Sequence, residues 1–303
     1  MDNPAHPRPR DYALAVLFHL DDWRVTTDHF VIAPGISLHR LEGTAVEQLY
    51  LRLCDSGHDD GEPFYFRSFL QVDARNQDDY LLDYGDPYSL VDRFCNLIAV
   101  RQQHPLDLVR IIRSSDRFLT SDSTQILYAP GGQTEFLLRI DAVLDDDTVS
   151  DIATAWRTLD PLWRKSRSAG RVCNALTYFY YSWRSPYLDQ VCLHLMIALE
   201  CLFAPHHAGE STHQIAFSVA QFMGGKPDEI ERRFDFIRKL YSVRSAVVHG
   251  GHADEDKLVE LVPEAFVLVA KLLLRILITP GTAREFDEES KRRQLLRSLL
   301  FHA

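Results

Sequence analysis

The spacing of apolar residues changes character about halfway along the chain. Before residue 148 the apolar runs are short, often alternating, and bounded by turn residues such as those of Pro34-Gly35 and Pro130-Gly131-Gly132. Short alternating runs between turn residues are typical of β-strands. The runs cover residues 12–20, 30–32, 37–41, 65–72 and 136–144. From Thr148 onward the apolar residues recur with helical period.

Two helices are predicted among these strands. Residues 44–53 begin with Thr44 followed three residues later by Glu47, which is a capping box. Residues 89–103 place four apolar side chains on one helical face, at positions Leu90, Phe94, Leu97 and Ile98. We therefore expect residues 1–147 to form a strand-rich α+β domain.

The rest of the chain, residues 148–303, predicts an all-α helical bundle. The expected helices cover residues 148–159, 169–183, 188–203, 211–223, 227–249, 256–278 and 285–300. The third of these is apolar almost all round and is expected to be central. Pro227 suits the first turn of the fifth helix, Gly250-Gly251 ends it, and Pro263 is expected to restart the sixth.

The composition indicates the cellular compartment and the broad class of protein. The chain has 303 residues, of which 46% are hydrophobic, and no apolar run long enough to cross a membrane. The basic N-terminal residues precede a short apolar run that Asp21 and Asp22 follow at once, which is unlike a secretory signal. Five cysteines without a C-x-x-C pair indicate a reducing compartment. We therefore expect a cytoplasmic protein with no membrane partner.

The net charge of −10 is distributed unevenly. Residues 1–159 carry −12, residues 160–250 carry +3, and residues 251–303 carry −1. A polyanion is repelled by the net negative charge of a protein, but it can still bind where the local charge is positive. The middle of the chain is therefore compatible with an RNA partner.

The segment "KLYSVRSAVVHGGH" carries the candidate chemistry at Arg244 and His249. Cleavage of a phosphodiester without metal needs a group that removes the proton of the attacking hydroxyl and a group that protonates the leaving oxygen. Histidine titrates near neutrality and serves either role. Arginine supplies a fixed cation for the charge that develops on phosphorus.

The spacing by itself also fits a purely structural pair. Residues five apart on a helix lie about 140° apart, so they share a site only if the helix ends there. In the structural alternative, Arg244 pairs with an acidic residue and His249 complements the helix dipole. Spacing alone favours this alternative.

Three segments between residues 188 and 251, about a fifth of the chain, resemble the HEPN superfamily and its ApeA-like branch. They are "HLMIALECLF", "STHQIAFSVAQFMGG" and "IRKLYSVRSAVVHGG". The R-x4-H motif preceded by "LYxxRS" and followed by "VHG" resembles the signature of HEPN ribonucleases. The resemblance also implies an arginine within the preceding helix, where this chain has Ser218 or, nearby, Gln221.

The resemblance implies a metal-independent endoribonuclease without cofactor, in which two copies form a composite site at a homodimer interface. Arg244 and His249 would be catalytic, with Glu200, Tyr241 and Ser245 in supporting positions. Such proteins act as toxins or antiphage effectors, so RNA is the expected substrate. A cognate antitoxin or a phage-derived trigger would be a further partner, and the N-terminal domain would sense or regulate.

A second reading belongs to a different functional class. Many HEPN domains bind a partner protein or a nucleotide without cleaving anything. In that case the helical half is a dimerisation or adaptor module. The intact R-x4-H motif favours the enzyme, whereas the acidic N-terminal part and the serine at position 218 favour the adaptor.

Glu200 is a carboxylate inside the otherwise apolar helix 188–203. A carboxylate in such surroundings is costly unless it is paired. We expect it to pair with Arg244 and to orient the guanidinium. The alternative is an acidic residue near the helix end that reaches solvent.

Histidines are numerous, and the densest group is His206-His207 with His213, near Cys201 and Glu210. Their spacing matches no common zinc pattern, and no second Cys/His pair completes four ligands. We expect no metal site.

Overall fold

A computed structural model describes residues 13–18, 22–40, 68–73, 87–105, 108–114, 125–127, 143–165, 170–204, 211–248 and 254–301. The chain divides into two compact units, and each is described by itself. The first unit contains the strands, helix α1 (Pro87–Gln102) up to Ile98, and helix α2 (Asp146–Lys165) up to Trp156. Because α2 continues through this division, the domain boundary predicted at residue 148 stays a prediction.

A six-stranded antiparallel sheet dominates the first unit. Its order is β3-β4-β5-β1-β6-β7, and a separate parallel pair joins β2 to β8. The strands are β1 (Ala13–Phe18), β2 (Asp22–Arg24), β3 (His29–Ala33), β4 (Ile36–Arg40), β5 (Ser68–Asp73), β6 (Leu108–Ser114), β7 (Gln125–Leu127) and β8 (Val143–Asp145). The β3–β4 hairpin turns at Pro34-Gly35, where Gly35 has a positive φ of 72°.

Helix α1 buries the face that the sequence predicts. Leu90, Phe94 and Ile98 are fully buried, and the Phe94 ring stacks on Trp156 of α2 with centroids 4.6 Å apart. The aromatic pair and its aliphatic neighbours form part of the unit's apolar core. An α+β start is thus confirmed.

The second unit is helical. After the rest of α2 it contains α3 (Arg171–Arg184), α4 (Leu188–Phe203), α5 (Ser211–Met223), α6 (Pro227–Val248), α7 (Glu255–Ile278), α8 (Thr282–Asp287) and α9 (Glu289–Phe301). Helix α4 is central, as expected, because it packs against α3, α5, α6 and α7. The helices predicted from residue 148 to residue 278 are confirmed, with ends shifted by at most six residues.

Other elements differ from the prediction or lie outside the described residues. The helix predicted at 44–53 lies outside the described residues, as does most of the strand predicted at 136–144. Strands β2, β6 and β7 were not predicted. Pro263 does not restart α7, which runs through it without a break. The residues around Pro263 are buried, among them Leu261, Val262 and Ala265, and this packing holds the turn in place.

The terminal helix predicted over 285–300 is wrong in its extent, because the chain forms α8 and α9 with a break at Glu288. The break lets Asp287 cap another helix, since its Oδ1 accepts the Val172 N–H at 2.9 Å at the start of α3. A side chain at Gly170 would collide with this carboxylate. Gly170 thus leaves room for a cap that comes from more than a hundred residues away.

Of the helices that the structure describes, none is both long enough and apolar enough to cross a membrane.

Replacing Asp287 by alanine should lower the free energy of unfolding by about 1–2 kcal/mol, because it removes the acceptor at the start of α3. Thermal and urea unfolding measure this loss. The matched control is Glu285→Ala on the exposed side of α8, which should change stability by no more than about 0.5 kcal/mol. Equal effects of the two substitutions would show that the cap contributes nothing.

Candidate functional site

Helix α6 carries the arginine of the R-x4-H motif, and its start is well defined. Pro227 occupies the first turn, and the Glu229 carboxylate accepts the Lys226 backbone N–H at 3.0 Å. Asp228 and Glu229 also complement the positive end of the helix dipole. The helix then buries one face, formed by Phe236, Ile237, Leu240, Tyr241 and Val243.

Glu200 lies in the last turn of α4, among nine buried side chains of that helix. The helix contains one other acidic residue, Asp189 in its first turn, where the dipole favours it. Glu200 lies at the opposite end, where the dipole opposes a negative charge. A carboxylate there needs a cation from a neighbouring helix.

Arg244 of α6 supplies that cation. Its Nη2 lies 3.2 Å from Oε1 and 3.3 Å from Oε2 of Glu200, so one guanidinium nitrogen contacts both carboxylate oxygens. The side chains are 31% and 26% exposed, respectively, and the pair is therefore partly shielded from water. The pairing of Glu200 with Arg244 is confirmed, and it joins two helices across 44 residues of sequence.

Tyr241 lies one turn before Arg244 and borders the same pair. Tyr241 is 7% exposed, and its hydroxyl makes no well-formed hydrogen bond with the residues that the structure describes. Burial raises the pKa of this phenol, and the nearby Glu200 carboxylate raises it further, while Arg244 acts in the opposite direction. Tyr241 therefore stays protonated and presents a neutral hydroxyl beside Glu200.

The guanidinium of Arg244 is only partly engaged. Its Nε is buried without a hydrogen-bond partner in the described part of the chain, and Nη2 bonds to Glu200. About a third of the Arg244 side chain is exposed to solvent. An arginine that is held by a carboxylate and is still partly exposed can bind a phosphate oxygen.

The remaining site residues divide into three cases. Ser245 is exposed at the surface of α6. His249 follows the last residue of α6 and lies outside the described residues, so its distance from Arg244 is not defined. Ser218, where the resemblance implies an arginine, is 2% exposed within α5. Position 218 therefore contributes no cation to the site.

Sequence reasoning missed the arginines that hold the end of α4. Arg171 Nη1 donates to the carbonyl of Cys201 at 3.0 Å, and the fully buried Arg292 donates to that of Ala204 at 2.7 Å. Glu289 contacts both arginines, at 3.6 Å and 3.0 Å. These contacts satisfy the free carbonyls of the helix end next to Glu200. Nothing in the local sequence distinguishes Arg292 from its exposed neighbours in α9.

Where the structure describes the chain, no three histidine, cysteine or acidic side chains are grouped so as to hold a metal ion. His206, His207 and Glu210 lie outside the described residues. His213 is exposed and Cys201 is half-buried.

Comparison of this chain with protein-family models, curated proteins and solved structures finds no match.

A double-mutant cycle on Glu200→Gln and Arg244→Gln measures the strength of the ion pair. Because the pair is partly buried, we expect a coupling free energy of about 1–2 kcal/mol in urea unfolding. The exposed pair Asp254–Lys257, treated in the same way, should give about 0.5 kcal/mol or less. A coupling at Glu200–Arg244 no larger than at the control pair would contradict a structural role for the contact.

Proposed function

We propose that the helical part of this chain is a HEPN-like endoribonuclease domain that cleaves RNA without metal. The observation that carries the proposal is the Arg244 side chain, which is 31% exposed and lies 3.2 Å from Glu200. Arg244 is in the last two turns of α6, the helix that leads to His249. A fixed, partly open arginine is what a pentacovalent phosphorane requires for charge stabilisation.

In this proposal His249 exchanges protons with the RNA. One imidazole removes the proton of the 2′-hydroxyl, whose oxygen attacks the adjacent phosphorus. The bond to the 5′-oxygen breaks, and a second imidazole protonates that leaving oxygen. The products are a 2′,3′-cyclic phosphate and a free 5′-hydroxyl. Arg244 stabilises the extra negative charge between these events.

One histidine does not readily serve both proton roles from opposite sides of the phosphorus. The proposal therefore includes a homodimer in which a second copy contributes its own Arg244 and His249. The net charge of +3 over residues 160–250 favours approach of a polyanion to this part of the chain. The N-terminal α+β part would then sense a trigger or bind an antitoxin that restrains cleavage.

A second function is favoured by the ion pair itself. Arg244 donates to Glu200, and its Nε is buried, so the side chain has a structural role that requires no substrate. On this account the helical part is a HEPN-like adaptor that binds a partner protein or nucleotide. Both functions predict a stable contact between α4 and α6, and only the first predicts cleavage.

The test uses purified wild type and His249→Ala, incubated with total RNA and tRNA in excess EDTA, with the mass in solution recorded for each. We expect cleavage by the wild-type dimer and a loss of at least about a hundredfold in His249→Ala, because proton transfer contributes roughly 10²–10⁴ to such reactions. Arg244→Lys should also lose most activity, since lysine keeps the charge without the fork.

His252→Ala is the matched control, because it removes a second histidine three residues further along. It should cleave like the wild type. Cleavage that EDTA abolishes, or that persists in His249→Ala, would contradict the proposed mechanism. A folded dimer that does not cleave, with or without its N-terminal part, would favour the adaptor.

A further inference from the structure

Two buried hydrogen-bond donors next to Glu200 have no acceptor among the residues that the structure describes. They are the hydroxyl of Tyr241 and the Nε–H of Arg244, and both atoms are shielded from solvent. A buried donor that stays unpaired costs free energy. A phenylalanine at position 241 would fill the same space without that cost. The hydroxyl is therefore explained by a second arrangement of the site, in which it has an acceptor.

Glu200 is the acceptor that both donors border. Tyr241 and Arg244 are three residues apart on α6, so they lie on the same face of that helix. Burial and the nearby Glu200 carboxylate both raise the pKa of the Tyr241 phenol, and the carboxylate does so because the two groups lie close together. An ionised carboxylate accepts about four hydrogen bonds. Glu200 therefore has lone pairs left for both unpaired donors.

The contact between Arg244 and Glu200 uses less of the guanidinium than it could. A single nitrogen, Nη2, lies 3.2 Å from one carboxylate oxygen and 3.3 Å from the other. The strong form of this ion pair uses two nitrogens, each of which donates to its own oxygen. Nε and Nη2 share one edge of the guanidinium. A small rotation of either group would therefore place the Nε–H on one oxygen and keep an Nη2–H on the other.

We propose that phosphate binding draws the site into this second arrangement, in which Glu200 accepts hydrogen bonds from Nε and Nη2 of Arg244 and from the Tyr241 hydroxyl. The other edge of the guanidinium, formed by Nη1 and Nη2, then binds two phosphate oxygens. Tyr241 is a positioning residue, because it acts on the phosphate through Glu200 and Arg244. The inference deepens the proposed function and rests on it for the identity of the anion.

The second arrangement satisfies every donor that the first leaves unpaired. Phosphate favours it because the anion fixes the outer edge of the guanidinium and leaves the inner edge to Glu200. A ligand shifts an equilibrium toward the arrangement that it binds better. A neutral donor also suits position 241, since a second cation there would compete with Arg244 for the carboxylate.

The test uses inorganic phosphate as the probe. Urea unfolding of the full chain is measured at increasing phosphate, with chloride holding the ionic strength constant. A ligand that binds the folded chain raises its stability with ligand concentration, so the titration gives a dissociation constant. Arg244→Gln supplies the baseline, because phosphate also stabilises proteins by exclusion from their surfaces. The wild type should gain stability above this baseline.

Tyr241→Phe should weaken phosphate binding at least about fivefold, because Glu200 loses one of the donors that hold the second arrangement. Its urea midpoint in chloride alone should not fall below that of the wild type, since the hydroxyl makes no hydrogen bond there. In the Glu200→Gln background the same substitution should leave phosphate affinity unchanged, because its effect passes through the carboxylate.

Tyr187→Phe is the matched control. It removes a hydroxyl from an exposed tyrosine just before α4, about 20 Å from Glu200 along that helix. It should bind phosphate like the wild type.

Stability that does not rise above the Arg244→Gln baseline, or unchanged phosphate affinity in Tyr241→Phe, would overturn the inference. A lower midpoint of Tyr241→Phe in chloride would also overturn it, since the hydroxyl would then be bonded without phosphate. A loss of affinity that persists in the Glu200→Gln background would show that the hydroxyl contacts the anion itself, and this too would overturn the positioning role.

The two proposals fail separately. Phosphate binding that depends on Tyr241, in a chain that never cleaves RNA, would remove the nuclease and leave the positioning role. RNA cleavage by a chain in which Tyr241→Phe binds phosphate like the wild type would remove the positioning role and leave the nuclease.

Discussion

The cost of a carboxylate inside an apolar helix is the constraint on which the helical part depends. Helix α4 packs against four neighbours and buries most of its side chains, so Glu200 can lie in its last turn only with a cation beside it. Arg244 meets that requirement at 3.2 Å. The contact fixes the position of α6 relative to α4 along the helix axes. A shift of one residue in either helix would move the guanidinium away from the carboxylate.

Arginines from neighbouring helices also stabilise the ends of α4 and α5. Arg171 and Arg292 donate to carbonyls at the end of α4, and Arg233 and Arg275 donate to those at the end of α5. Each arginine comes from another helix, so a local need for a cap produces a long-range connection. The ends of α4 and α5 are therefore held by charge-assisted hydrogen bonds as well as by packing.

Much of the helical part could be predicted because the residues that begin and end its helices act locally. Pro227 and Gly224-Gly225 mark helix boundaries through backbone geometry alone, and both glycines have positive φ. The Glu200–Arg244 pair followed from the cost of burying a charge.

The break at Glu288 could not be foreseen, because it allows Asp287 to accept a hydrogen bond at the start of a helix that is distant in sequence. Strand β6 was missed because Arg110 and Arg113 obscure its apolar pattern.

We propose that Glu200 orients Arg244 for phosphate chemistry and does not merely neutralise its charge. The most direct test is the single-turnover rate of RNA cleavage by Glu200→Gln in EDTA, measured together with its affinity for RNA. We expect a rate at least about tenfold lower with nearly unchanged affinity for RNA, because the amide leaves the guanidinium misplaced in the transition state while ground-state contacts persist. A folded Glu200→Gln variant that cleaves at the wild-type rate would contradict this role of Glu200.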